Sequence, residues 1–259
     1  MALPQHDGKF DSPAVLTPEA HLSHRFGDDL PAVPDGLILT FQDDLFSFIA
    51  REEGATTVDP DSAAYTLTWL EDTDQRVGAV GEFGIGAPVA AALVEEFATL
   101  GTEVFCILGG AGTLQPDVTG RDALVVEAAI RDEGTSHHYL EPDRRVDADE
   151  KLTELLAREA AGLAETVHRG PTWTTDAIFR ETEAEIRDYS EAGVLAVEME
   201  AAAVFAVATY RNLHAGALLV AFDSLAESEW DARVDDTERR LERFVPAVRD
   251  AVVDRLESR

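Results

Sequence analysis

The chain has 259 residues, and its 51 acidic side chains against 21 basic ones give a formal charge of −30. That balance excludes a protein that grips nucleic-acid backbone, which needs Lys and Arg to neutralise phosphates, while 45% apolar residues exclude a chain too polar to bury a core. No apolar run approaches the roughly 18 residues of a membrane span, and MALPQHDGKF shows no signal-peptide core, so a soluble cytoplasmic protein with no membrane partner is expected.

Residues 1–35 hold prolines and histidines without periodicity and are expected to form an irregular arm, followed by a single domain over 36–259. Residues 36–41 read as a short apolar strand and 42–53 as a helix with Leu45, Phe46 and Ile49 on one face. Two strand-like runs, 65–71 and 76–83, flank Asp72-Thr73-Asp74-Gln75 and predict a hairpin. A glycine turn over 81–88 leads into a helix at 89–100, with Pro88 near the first turn, where a missing N–H costs least. Residues 104–108 predict a strand, Gly109 to Gly112 a turn, and 123–130 another strand. Runs without alternation predict strands covered on both faces. Beyond them come helices at 149–165 and 179–189 around a strand at 167–173. An Ala-rich helix at 200–212 follows the segment 194–199, then a strand at 215–222 and a C-terminal helix at about 236–256. The sum is an α/β fold with a mixed central sheet and flanking helices.

In open α/β sheets ligands bind beyond the carboxyl ends of strands, which singles out four junctions. Gly84 and Gly86 in one turn, and Gly109 and Gly110 in another, would expose backbone N–H groups to an anion. Neither turn has the Gly-Lys-Ser/Thr ending of a P-loop, and each reads equally as a tight turn. Glu198-Met199-Glu200 places two acids where a buried segment enters a helix. The helix dipole accounts for one of them, and a second buried acid needs a partner such as a sugar diol. Asp223 closes an apolar strand, as a turn former or as a general acid whose pKa a desolvated cleft would raise.

Two further features concern the chain's surroundings. Lys9 and Lys151 are the only lysines, and an acid-rich, lysine-poor surface is expected of a salt-adapted protein, because its self-repulsion is screened when the Debye length falls to about 3 Å at 1 M salt. Cys106 is the only cysteine, so no intrachain disulfide forms.

Five segments in order, Gly84-Ile85-Gly86-Ala87-Pro88, Gly109 to Pro116 (GGAGTLQP), Ala129 to Tyr139 (AIRDEGTSHHY), Thr174 to Thr182 (TTDAIFRET) and Val197 to Ala203 (VEMEAAA), resemble the nucleoside phosphorylase family, which includes purine nucleoside and uridine phosphorylases. The resemblance runs from about Leu37 to Ser228. It implies a three-layer α/β/α fold with a mixed, barrel-like central sheet, a homo-oligomer (dimer or hexamer), a nucleoside as small-molecule partner, phosphate as co-substrate, and neither cofactor nor metal. Carried onto this sequence, Glu200 would bind the ribose hydroxyls with Met199 packed on the sugar and Glu198 nearby, and Asp223 would serve the leaving base. Residues from Thr174 to Arg180 would line the base pocket, with Thr175 and Arg180 among them and Trp173, Ile178 and Phe179 available for stacking or equally for the core. His137, His138 and Tyr139 would approach a neighbouring subunit's site or serve a subunit contact.

The sequence departs from the family at its anion site. The resembling phosphorylases carry a Gly-Asp-Pro-x-Arg turn after the first strand, where this chain reads Phe41-Gln42-Asp43-Asp44-Leu45. A second arginine precedes the Gly-Thr of their middle glycine segment, where this chain reads Ile107-Leu108-Gly109-Gly110. Arg131 and Arg180 are the substitutes at hand. The implied activity is cleavage of an N-glycosidic bond with phosphate as acceptor. The alternatives are hydrolysis by water and nucleoside or nucleotide binding without turnover.

Overall fold

Every apolar run that reads as a strand pairs into one continuous sheet. The computed structural model describes residues 6, 8–53, 55–57, 65–226, 230–232 and 241–258. Its strands are β1 (Gly36–Leu39), β2 (Ala55–Thr57), β3 (Thr66–Trp69), β4 (Val77–Gly81), β5 (Val104–Thr113), β6 (Ala123–Asp132), β7 (Arg145–Asp147), β8 (Val167–Thr175), β9 (Ala196–Glu198) and β10 (His214–Ser224). Strands β10, β6, β8, β9 and β5 follow one another, and β10 pairs again with β5, which closes a five-stranded barrel. From β5 the sheet continues outward through β1, β4, β3 and β2, and the β3–β4 pair is the predicted hairpin.

The helices are α1 (Pro18–Phe26), α2 (Asp43–Glu53), α3 (Ala87–Leu100), α4 (Glu150–Ala160), α5 (Glu183–Glu191), α6 (Ala201–Arg211) and α7 (Val245–Glu257). One core lies under α3 and α6, where Phe97 and Phe205 meet Leu39, Phe105 and Leu219. A second lies under α2, α4 and α7, where Leu45, Leu156 and Val252 meet Ile38, Cys106 and Leu218. The two apolar faces of the sheet explain the unbroken apolar runs, and helices on both faces make the three layers. Every residue of α6 from Ala201 to Ala208 is buried, which suits a helix apolar all round. No helix among the described residues is long and apolar enough to cross a membrane.

Two expectations change, and a third reaches beyond the described residues. The stretch read as an irregular arm holds α1, capped by the Thr17 hydroxyl on the Ala20 N–H (3.2 Å); with Leu22 its only buried residue, the helix shows no apolar stripe to betray it. The C-terminal helix is described from Val245, and the 236–240 part of its expected range lies outside the described residues. The segment from Gly109 to Gly112 is not a turn, because β5 runs through it to Thr113 while pairing with β10.

Glycine is needed there for close approach. A Cβ on Gly110 would lie 2.5 Å from the Phe222 ring, and one on Gly112 would lie 2.9 Å from Asp223 Oδ1. Gly110→Ala is expected to cost about 1–3 kcal/mol by overpacking, read as a lower urea midpoint. An unchanged midpoint would show that Phe222 yields freely.

Candidate active site

The site sits at a notch in the mixed sheet. Strand β1 stops at Leu39 opposite Ile107, whereas β5 continues to Thr113 and there pairs antiparallel with β9 (Gly112 with Val197, Thr113 with Ala196). Strand β9 therefore runs back toward the level where β1 and β4 end. The turn after β4, the start of α2 and the start of α6 converge on this notch.

Glu198 and Glu200 divide their tasks. Glu198 takes Thr174 Oγ1 on one oxygen (2.5 Å) and the N–H groups of Glu200 and Ala201 on the other (2.7 Å each), so both of its oxygens are engaged in capping α6. Thr174 Oγ1 also accepts from the Ala202 N–H (3.0 Å). Glu200, only 7% exposed, reaches across the notch to accept the Gly86 N–H on Oε1 (2.6 Å). Gly86 can present that N–H because its φ of 101° is one that side chains avoid. Both carboxyls are pushed well above the usual carboxylate range, chiefly by burial, and for Glu200 also by the charge of Glu198. Glu133, buried on the loop after β6 and held by the N–H groups of Thr135 and Ser136, adds to the repulsion on Glu198.

Asp223 lies along the same floor. The Cβ that Gly112 lacks would lie 2.9 Å from Asp223 Oδ1 and 3.3 Å from a Val197 methyl, so Asp223 borders β9 just ahead of Met199. Its Oδ2 accepts the indole N–H of Trp230 (2.7 Å). Glu181, at the end of the short turn Ile178–Arg180 that follows β8, is half-buried and feels the charge of Asp223. Burial first, then Asp223 and Glu185, push its carboxyl up to about 7.

Several expected site residues stand elsewhere or otherwise. Trp173 is 1% exposed, packs on Tyr189 and donates its indole N–H to Asp132 (3.0 Å), so it is core and cannot stack on a base. Thr175 is buried, its hydroxyl accepting the Ala177 N–H. Ile178 and Phe179 are exposed, Phe179 at 93%, and form an open rim beside Arg180, whose side chain makes no hydrogen bond or ion pair among the described residues. Arg131 is no substitute anion site: its guanidinium is spent on Ser136 Oγ and on the carbonyls of Leu140 and Glu141. Gly109 and Gly110 lie in the β5 ladder rather than in a turn. Gly84 and Gly86 do form a positive-φ turn, with Ile85 exposed between them, and Met199 is half-buried. Tyr139 meets Tyr210 edge-on, and with His138 it lines a separate cleft of about 990 Å³ against the N-terminal segment.

Sequence reasoning gave no role to Glu181, Glu133 or Gln42. Gln42, just ahead of α2, has a buried Oε1 without a hydrogen-bond partner, 3.3 Å from where a Gly109 Cβ would be. An uncharged side chain just ahead of two exposed aspartates, Asp43 and Asp44, gives no sequence signal. Among the described residues no group of three or more His, Cys, Asp or Glu could hold a metal ion. Chemically, the notch offers a buried carboxyl held by backbone N–H groups, a pair of carboxyls that feel each other's charge, and an unsatisfied amide.

A sequence model of the phosphorylase superfamily matches residues 36–254. The guanosine phosphorylase of Halorubrum lacusprofundi is 40% identical over 136 residues, covering 52% of this chain and 56% of that protein. The uridine phosphorylase of Escherichia coli is 29% identical over 163 residues, covering 58% and 64%. The match thus spans less than two thirds of the length of either relative. The crystal structure of uridine phosphorylase from Vibrio fischeri superposes with a TM-score of 0.72 at 20% identity, over 87% of this chain and 92% of that one, so the two share a fold.

Proposed function

Because the chain belongs to the phosphorylase superfamily, we propose that it cleaves the N-glycosidic bond of a purine nucleoside, with phosphate as the acceptor. The observation that carries this reading is Glu200, a buried carboxyl at the notch whose Oε1 accepts the Gly86 N–H and to which a sugar diol could donate. Ribose hydroxyls donating to it would compensate the burial that otherwise keeps it neutral. As the bond breaks, its electron pair passes to the ring nitrogen of the base, which takes up a proton from the Asp223 side of the notch. Positive charge grows on the ribose next to the Glu200 carboxylate. An oxygen of phosphate then bonds the anomeric carbon, giving free base and ribose 1-phosphate. A purine base is favoured by the 40% identity to a guanosine phosphorylase and by the carboxyls at the base end, which can protonate or hold a purine ring nitrogen.

Hydrolysis is the second reading, favoured by one observation. The ends of β1 and β5 present Asp43, Asp44 and two glycines where the resembling enzymes have arginines, and the unsatisfied Gln42 amide is the neutral group left in the notch. One assay decides between them. The protein is incubated with guanosine or uridine at molar salt, with and without phosphate, and free base and ribose 1-phosphate are followed. Base release from guanosine that requires phosphate is the expected result. Release at the same rate without phosphate would establish the hydrolase, and no release from either nucleoside would overturn both readings.

A further inference from the structure

Strand β10 reaches the notch through a β-bulge. Its register against β5 shifts between Ala221, opposite Ala111, and Asp223, opposite Gly112, so that Phe222 is the extra residue. A bulge bends its strand and re-aims the side chains beside it. Here the Phe222 ring lies against Gly110 and Asp223 Oδ1 against Gly112, both positions at which β5 carries no Cβ to meet them. Beyond the bulge the chain folds back. Ser224 and Asp231 exchange both backbone hydrogen bonds (3.0 and 3.1 Å), which brings Trp230 to Asp223, whose Oδ2 takes the indole N–H at 2.7 Å. That is the only hydrogen bond of the Asp223 side chain among the described residues. Trp230 is otherwise left in solvent, 70% exposed, so burial of its ring contributes little to holding it there.

We propose that Trp230 is a positioning residue for the departing base: it pins Oδ2 of Asp223, so that Oδ1 is the one oxygen offered to the ring nitrogen of the purine. The inference rests on the purine-nucleoside cleavage proposed above. An indole N–H is a donor and never an acceptor. Whether Asp223 is ionised or protonated, Oδ2 therefore accepts, and any proton that Asp223 holds or exchanges rides on Oδ1. A carboxyl without such a pin turns about its last side-chain bond and offers either oxygen; one that is pinned is oriented before the bond breaks. Gly112 serves the same end, because a Cβ there would crowd Oδ1 at 2.9 Å. The ring nitrogen gains electron density only as the glycosidic pair moves into the base, so the contact with Oδ1 strengthens toward the transition state. Its loss is a loss of kcat rather than of substrate affinity.

The test uses the full chain at molar salt with saturating phosphate, and compares wild type, Trp230→Phe, Asp223→Asn and the double variant on guanosine. Trp230→Phe keeps an aromatic ring and removes the donor. Its kcat is expected to fall about 10- to 100-fold with KM within a few-fold of wild type and, the ring being exposed, with the melting temperature unchanged. The double variant is expected to be no slower than Asp223→Asn alone, because Trp230 acts only through Asp223. On 7-methylguanosine, whose imidazole ring is already cationic and carries a methyl group where Oδ1 would bond, Trp230→Phe is expected to lose no more than a few-fold. Losses that multiply in the double variant, equal losses on the two nucleosides, or a rise in KM alone would each overturn the proposal. So would wild-type kcat in Trp230→Phe. Wild-type protein inactive on both nucleosides would instead overturn the underlying function, and this inference with it.

Discussion

Glu200→Ala is expected to lower kcat/KM for guanosine by about 10²–10⁴-fold while leaving the fold in place. The side chain would accept two ribose hydroxyls, and hydrogen bonds to a charged group contribute about 1.5–3 kcal/mol each, with about 1.4 kcal/mol per factor of ten. Across the notch its side chain holds the Gly86 N–H, a single donor against the three that Glu198 satisfies. The contrast with Glu198 makes the measurement specific. Glu198 caps α6 and holds Thr174, so Glu198→Ala strips donors buried at the head of a helix that is itself buried, and melting temperature falls along with activity. Steady-state kinetics and thermal melts of the two variants check this. A Glu200→Ala enzyme with wild-type kcat/KM would show that the ribose is held elsewhere.

The second large effect is on stability against pH. The carboxyls of Glu181, Glu198 and Glu200 sit above their ordinary range in the folded chain. In the unfolded chain they ionise near 4.5. Below that pH both states are protonated and the groups exert no penalty. As pH rises, the unfolded chain sheds these protons first, so stability falls until the folded-state values are passed. Surface carboxylates are nearly all ionised by about pH 6, which leaves about pH 6 to 8 as the window where the buried acids act. Glu200→Gln keeps an acceptor for Gly86 and removes the titration. It is expected to be more stable than wild type at pH 8 by about 2 kcal/mol, or about 4–8 °C in melting temperature for a domain of this size, with the gain shrinking toward pH 5. Thermal melts of both proteins across that range measure it, and a pH-independent difference would show that Glu200 is ionised throughout. A nucleoside should protect wild type more at pH 8 than at pH 6, because its hydroxyls serve the carboxylate.

The fold was largely legible because burial on two faces writes itself into sequence: the runs at 36–39 and 104–108 have no polar alternation, and the structure covers both faces of each. The hairpin was legible from its turn, where Asp74 and Gln75 adopt positive φ. What sequence misjudged were positions where a residue's type suits two environments. Trp173 is as good a core residue as a stacking platform, and only its indole bond to Asp132 decides. Gly109 to Gly112 looks like a turn because glycine marks turns, yet here it marks a strand on which Phe222 and Asp223 lie. Arg131 looks like an available cation until the loop from Ser136 to Glu141 wraps its guanidinium.

The sequence alone determined the layered α/β plan, the family, and the conspicuous acids at 198, 200 and 223, because periodicity and local motifs are carried by residues close together in the chain. It also supplied the charge of −30, whose 51 acids cannot be ranked by counting. Only the tertiary structure separated them. Glu198 is consumed as a helix cap, Glu200 is bound to a glycine 114 residues away, and Glu181 is half-buried within the field of Asp223 at a strand end. The physical reason is that a carboxyl's protonation state is set by its dielectric surroundings and by charges within a few ångströms, and those neighbours are chosen by the fold rather than by the adjacent residues.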